Sequence, residues 1–283
     1  MRRSESVYSR PMAGSSRVGR STLRLSPVGE LLAHWRRERR MSQLVLSHTA
    51  GVTARHVSFV ESGRANPSRE MVLTLARALD VPLRERNQML LAAGYAPQYR
   101  ETGLDEHSMA QVRGALERVL RQHEPYPAVV MDRHWNVTAT NDAAAAMFAF
   151  LLDQHAPAGE GERANVVRLM FTALRPYVAN WQDTGRALIQ RVHREAVGGV
   201  PDVHTARLLE EMLALPDVPD SWRRPDFAAT PSPLVPVQFH KGGLRASYFS
   251  LVTTVGTPQD VTLQEIRLES FFPADSASEQ VRW

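Results

Sequence analysis

The segment Met41–Ser68, MSQLVLSHTAGVTARHVSFVESGRANPS, constrains the fold more than any other part of the chain. Leu46, Ala50, Val52, Val57 and Val60 are spaced so that two short helices bury one shared seam. Ser42 stands where it can cap the first helix, and Thr53 where it can cap the second. Gly51 falls between them, at a position that favours a left-handed backbone. A tight turn then fixes the angle between the two helices. The second helix turns Ala54, Arg55, His56, Ser58 and Phe59 away from the seam. Small, basic and hydrogen-bonding groups near a helix N-terminus are what the major groove of DNA admits. The pattern therefore reads as a helix-turn-helix.

Charge distribution supports that reading. The net charge is only +4, but residues 1–100 carry 17 basic and 7 acidic side chains, whereas the remainder carries 17 and 23. A basic first module joined to an acidic second one implies that only the first meets a polyanion. Only Lys241 of the 34 basic residues is a lysine. Cysteine is absent, which excludes disulfides, thiol catalysis and cysteine-based zinc sites. No apolar run approaches the roughly 20 residues of a membrane span. The N-terminus lacks the apolar core of a secretory signal. A cytoplasmic protein is the expectation.

Five regions are expected. Residues 1–25 form a disordered basic tail rich in Ser and Arg. Residues 27–97 form an all-α bundle of five helices. Its first helix, near Val28–Arg40, has the apolar face Val28, Leu31, Leu32 and Trp35. The fourth starts after Ser68 with the stripe Met71, Leu75, Ala78 and Leu79. The fifth runs from Leu83 to Ala93 and stops at Gly94. Residues 98–107 form a linker. Residues 108–275 form an α+β domain: a connecting helix over 108–122, a hairpin from 127–131 and 137–140, and a helix capped by Asn141. Helices near 165–174, 176–197 and 203–215 follow, then strands over 234–240, 244–255 and 261–272. Residues 276–283 are expected to be a tail.

The first domain resembles the XRE family of helix-turn-helix regulators, through SQ at 42–43, AGV at 50–52, VESGR at 60–64 and PS at 67–68. Ser47 departs from the alanine usual there, but is small enough to fit. HVSFVESGRANPSREMVLTLARALDVPLRERNQMLLAAGYAP (56–97), PAVVMDRHWNVTATN (127–141), NVVRLMF (165–171) and GTPQDVTLQEIRLESFFPAD (256–275) are similar to the MmyB-type branch. The resemblance spans roughly 27–275. It implies a PAS-like ligand-binding second domain, in some members holding a fatty-acyl molecule.

The resemblance places Gln43 over a phosphate or base edge. Arg55 is the candidate for direct readout, because a guanidinium can pair bidentately with guanine. Ala54 and Phe59 share its face and could touch a thymine methyl. Thr53, His56, Ser58 and Arg64 are expected to position the backbone. Glu61 is expected to be an intramolecular partner, for instance of an Arg in the first helix. One recognition helix spans few base pairs, so specific binding to a double-stranded operator implies a homodimer on half-sites about 34 Å apart.

In the second half no catalytic constellation, metal-binding spacing or Gly-rich phosphate loop is found. Neither an enzyme nor a cofactor is expected. An apolar pocket is the working expectation, with Met147, Phe148, Leu151, Leu169, Met170, Phe171, Trp181, Phe249 and Leu251 as lining candidates. Methionine repacks readily around a flexible chain. Arg168 or Arg245 would meet an anionic head group. Ligand would shift the population of sensor packings and so the dimer geometry. The alternative is a second domain that serves only dimerisation or protein-partner docking.

Overall fold

The computed structural model describes residues 26–153, 163–197, 202–224 and 234–283. The basic tail expected over 1–25 lies outside them. The first five helices are α1 (Pro27–Glu38), α2 (Gln43–Ala50), α3 (Ala54–Glu61), α4 (Arg69–Ala78) and α5 (Leu83–Ala92). Four start on a hydroxyl cap: Ser26, Ser42, Thr53 and Ser68 each accept a hydrogen bond from the backbone N–H three residues on. Gly51 adopts φ 67°, the left-handed turn expected of it. Leu32, Trp35, Leu46, Val57, Val60, Leu75 and Leu90 close one apolar core. Ser47 is buried within the bundle and donates its hydroxyl to the Leu44 carbonyl. Gly29 has a role that periodicity does not show. A Cβ there would stand 2.6 Å from the Val60 carbonyl oxygen, so glycine lets α1 cross the end of α3.

The second domain opens with α6 (Ala110–Gln122), β1 (Ala128–Met131) and β2 (Val137–Thr140). It continues with α7 (Asp142–Leu151), α8 (Val166–Phe171), α9 (Trp181–Val197) and α10 (Val203–Leu213). It closes with β3 (Val237–Lys241), β4 (Leu244–Thr253), α11 (Val261–Glu265), β5 (Arg267–Pro273) and α12 (Ser276–Glu279). The antiparallel sheet has the order β2-β1-β5-β4-β3. One face packs against α7–α10 through Val129, Met131, Phe239, Ala246 and Tyr248. The other meets α6 through Ala128, Val130 and Leu268. Asn141 ties strand to helix: its carbonyl oxygen caps α7 and accepts from Ala128, and its amide donates to the Tyr126 carbonyl. Lys241 donates to the last carbonyls of α7, at Phe150 and Leu151, where a cation suits the helix dipole.

Two expectations are corrected. Residues 261–265 are helical, not the start of a strand, because Asp260 accepts the Thr262 N–H at 2.8 Å and caps a turn there. Residues 276–283 fold back instead of forming a tail. Ser278 accepts the Ser247 N–H, and the Trp283 indole donates to the Tyr248 hydroxyl at 3.0 Å. The stretch 98–107 is also engaged: the Arg100 carbonyl accepts from Val261, and Thr102 donates to Asp260. Among the described residues no helix is long and apolar enough to cross a membrane.

Candidate functional site

The outer face of α3 is built from the positions the sequence marks. Val57, Val60 and Glu61 turn inward, and Thr53, Arg55 and Arg64 stand exposed. Ala54, Ser58 and Phe59 are half-buried beside them. The Arg55 and Arg64 guanidiniums lie 5.0 and 5.8 Å from the centre of the Phe59 ring. Phe59 thus braces two cations on the surface rather than filling the core. The Thr53 hydroxyl caps α3 at the His56 N–H, 3.2 Å away. His56 is half-buried, and its Nε2 is shielded from solvent with no partner among the described residues.

Glu61 takes the intramolecular role and fixes α1, α2 and α3 together. It accepts from Arg36 at 2.6 and 2.9 Å and from the Gln43 amide at 2.8 Å. Arg36 also donates to the Met41 carbonyl. The Glu61 hydrogen bond is the main reason that the Arg36 guanidinium holds its proton more tightly than usual. Gln43 is therefore engaged through one of its two amide hydrogens. Arg39 caps α4 at the Leu79 and Asp80 carbonyls, so part of the basic run of α1 is structural.

In the second domain a cavity of about 190 Å³ lies between α8, α9 and the sheet. Trp135, Val166, Met170, Leu188, Val237 and Phe271 give it apolar walls, and Thr184, Arg191, Ser250 and Glu269 give it a polar end. Glu269 is buried, accepts from the Ser250 hydroxyl and lies 3.5 Å from Arg191. The Arg191 guanidinium sits 4.4 Å from the centre of the Trp135 ring, and Arg267 sits 5.3 Å from it. Trp135 is 1 % exposed, and its indole N–H has no acceptor among the described residues. Its backbone is left-handed at φ 68°, a conformation that costs a bulky residue about 1–3 kcal/mol. The turn around it is over-determined. Asp132 accepts from the backbone of His134 and Asn136, and Asn165 donates to the His134 carbonyl.

The expected lining residues separate into three groups. Met170 lines the cavity. Met147, Leu151, Leu169, Phe171 and Trp181 are buried in the adjoining core, with Phe148 packed against it. Phe249, Leu251, Arg245 and Arg168 are elsewhere. Ala246, Tyr248 and Ser250 take the inner face of β4, so strand alternation sends Arg245, Phe249 and Leu251 to the other side. Phe249 stacks on Phe272 there, and Leu251 is 53 % exposed. Arg168 pairs with Glu211 at a separate polar cleft. The sequence reading missed Trp135, Thr184, Leu188, Arg191, Val237, Ser250, Glu269 and Phe271. The parity of β4 was the available signal for Ser250. Among the described residues no group of three or more His, Asp or Glu side chains could hold a metal ion.

Residues 112–283 match the MmyB-like transcription regulator ligand binding domain, and residues 32–86 match a helix-turn-helix family. The chain belongs to the MmyB-like regulators. It is a DNA-binding transcription regulator of XRE type with a ligand-binding domain. No curated protein matches it. A solved structure titled "Structure of an RNA-binding Light-Oxygen-Voltage Receptor" aligns over 88 % of this chain and 60 % of its own, at 13 % identity and a TM-score of 0.27. That similarity is too low to bear on fold or function. In this MmyB-like regulator the two matched regions coincide with the basic bundle and the α+β domain.

Proposed function

We propose that the regulator binds a double-stranded operator as a homodimer and that a small, mostly apolar ligand of the fatty-acyl kind occupies the Trp135 cavity. Arg55 reads a guanine, with Ala54 and Phe59 beside the bases. Gln43, Thr53, His56, Ser58 and Arg64 hold the phosphate backbone. Two half-sites are needed because α3 alone reaches only a few base pairs.

The observation that carries the ligand reading is the cavity itself, an apolar wall of Trp135, Val166, Met170, Leu188, Val237 and Phe271 with Arg191 at its polar end. Arg191 offers an anionic head group its charge, while Met170, Leu188, Val237 and Phe271 surround a chain. At about 190 Å³ the cavity is below the roughly 300 Å³ at which drug-sized sites begin, which favours a short chain. The sheet order, with α7–α10 inserted between β2 and β3, supports a PAS-like description of the domain. Native mass spectrometry of freshly purified protein tests the ligand reading. A reproducible small-molecule adduct that Met170→Trp abolishes supports it. Adduct-free spectra across preparations would sink it and leave the second domain as a dimerisation or docking module.

A further inference from the structure

Arg133, His134 and Trp135 sit consecutively in the turn between β1 and β2, yet they serve different neighbours. Trp135 lines the cavity in its left-handed conformation. Arg133 donates to Glu265 at 2.9 Å and lies 3.4 Å from Asp202. Glu265, at the end of α11, also accepts from Arg84 of the DNA-binding bundle at 2.8 and 3.0 Å. Beside it, Gln264 accepts the Leu83 N–H, the first amide of α5, at 2.6 Å. His134 lies 3.1 Å from Asp202, the cap of α10. One short turn therefore touches the cavity, the cap of α10 and the ion pairs that dock α5.

We infer that this turn carries cavity occupancy to the DNA-binding bundle, by making or breaking the Arg133–Glu265–Arg84 chain of ion pairs. The inference rests on the reading of the Trp135 cavity as the ligand site. Its physical basis is a contrast in stiffness. Side chains packed at crystal-like density transmit small displacements. Trp135 keeps its strained backbone conformation only because the contacts around it hold it, so altering those contacts shifts the turn. A ligand that moves the indole must move the neighbouring residue, because the two share a turn closed by Asp132. Charged hydrogen bonds depend steeply on distance and angle, so a shift on the order of 1 Å at Arg133 releases Glu265. Glu265 then loses the cation that fixes its carboxylate, so its hold on Arg84 weakens and Arg84 can turn to Glu101, its second acceptor. The docking of α5 would loosen, and with it the placement of α3 relative to the second domain. Half-buried Glu85, whose carboxyl is pushed up by desolvation, sits within the field of the same charges.

The test uses amide hydrogen exchange on the full chain, with the cavity filled by substitution. Met170→Trp and the milder Ala187→Leu, both at residues that line the cavity, are each made with Arg133 present and with Arg133→Gln. If either filler fails to fold, the other carries the comparison. With Arg133 present, filling should change exchange around Trp135 and speed exchange over residues 83–92 by about fivefold or more, the lower end of ordinary coupling. With Arg133→Gln the fillers should still change exchange around Trp135 but add nothing over 83–92. An unchanged 83–92 segment in the first background, an equal change in both, or no effect at Trp135 would each overturn the inference. A protein that carries no small molecule would instead sink the ligand reading and leave this coupling result intact.

Discussion

The α3 face and the cavity of the second domain are built in opposite ways. The α3 face is convex and solvated. Its arginines keep their water, and Phe59 braces them at little cost. The cavity is concave, with apolar walls, a buried carboxylate at Glu269 and the Arg191 guanidinium at its polar end. A solvated surface can change its side chains and keep its fold. A buried one cannot, because each polar group left unpaired there costs about 1–3 kcal/mol. Recognition and stability should therefore separate in the first domain and remain entangled in the second.

Trp135→Ala would break this contrast first. Removing a fully buried Trp should cost about 3–5 kcal/mol, with no relief from the left-handed backbone, which strains alanine as well. Denaturant unfolding measures this, and a loss near zero would mean that the cavity wall is not needed for the fold. Glu61→Ala sharpens the picture inside the first domain, since it leaves the half-buried Arg36 guanidinium without its carboxylate partner. A loss of about 3–5 kcal/mol is expected, with Glu61→Gln milder because it keeps an acceptor. Arg55→Ala should do the reverse. Stability should stay within about 0.5 kcal/mol, while discrimination at one base pair falls by about 1–3 kcal/mol. Thr53→Ala removes a cap, so about 1 kcal/mol of stability should be lost even if DNA contacts survive.

The smallest effect concerns pH. Burial opposes ionisation of Asp202. The Thr205 hydroxyl, the charges of Arg133 and His134, and the His204 N–H together outweigh it and hold the carboxyl at about 2. A carboxyl depressed on folding adds stability above its unfolded pKa near 4, and that contribution disappears as pH falls toward 2. Acid unfolding of Asp202→Asn should accordingly be less steep between those limits than that of the unaltered chain. Equal slopes would show that the ion pairs around α10 are screened to insignificance.

The same contrast explains what could be read without a structure. The α3 face lies within one continuous stretch, and caps, turn and seam obey rules of three and four residues. Thr53, Gly51 and Arg55 could therefore be located from spacing alone. The cavity draws Trp135 from a turn, Met170 from α8, Arg191 from α9, Ser250 from β4 and Glu269 from β5. No local period links those five. Phe249 and Leu251 were natural choices by hydrophobicity and fell on the wrong side, because one step of register reverses a strand. The helix at 261–265 was hidden behind a β-branched start, and only Asp260 marked its cap. Gly29 was silent because its constraint comes from the carbonyls of α3, more than thirty residues away in the chain.

Selection of bound DNA from a random pool, with the full chain and with Arg55→Ala in parallel, tests the central claim most directly. The expected result is a two-fold symmetric motif with half-sites about one helical turn, ~34 Å, apart. Arg55→Ala should keep the spacing and lose preference at one base pair in each half. An unchanged preference in the variant, or no enriched motif from the unaltered chain, would contradict the assignment of α3 as the reading element.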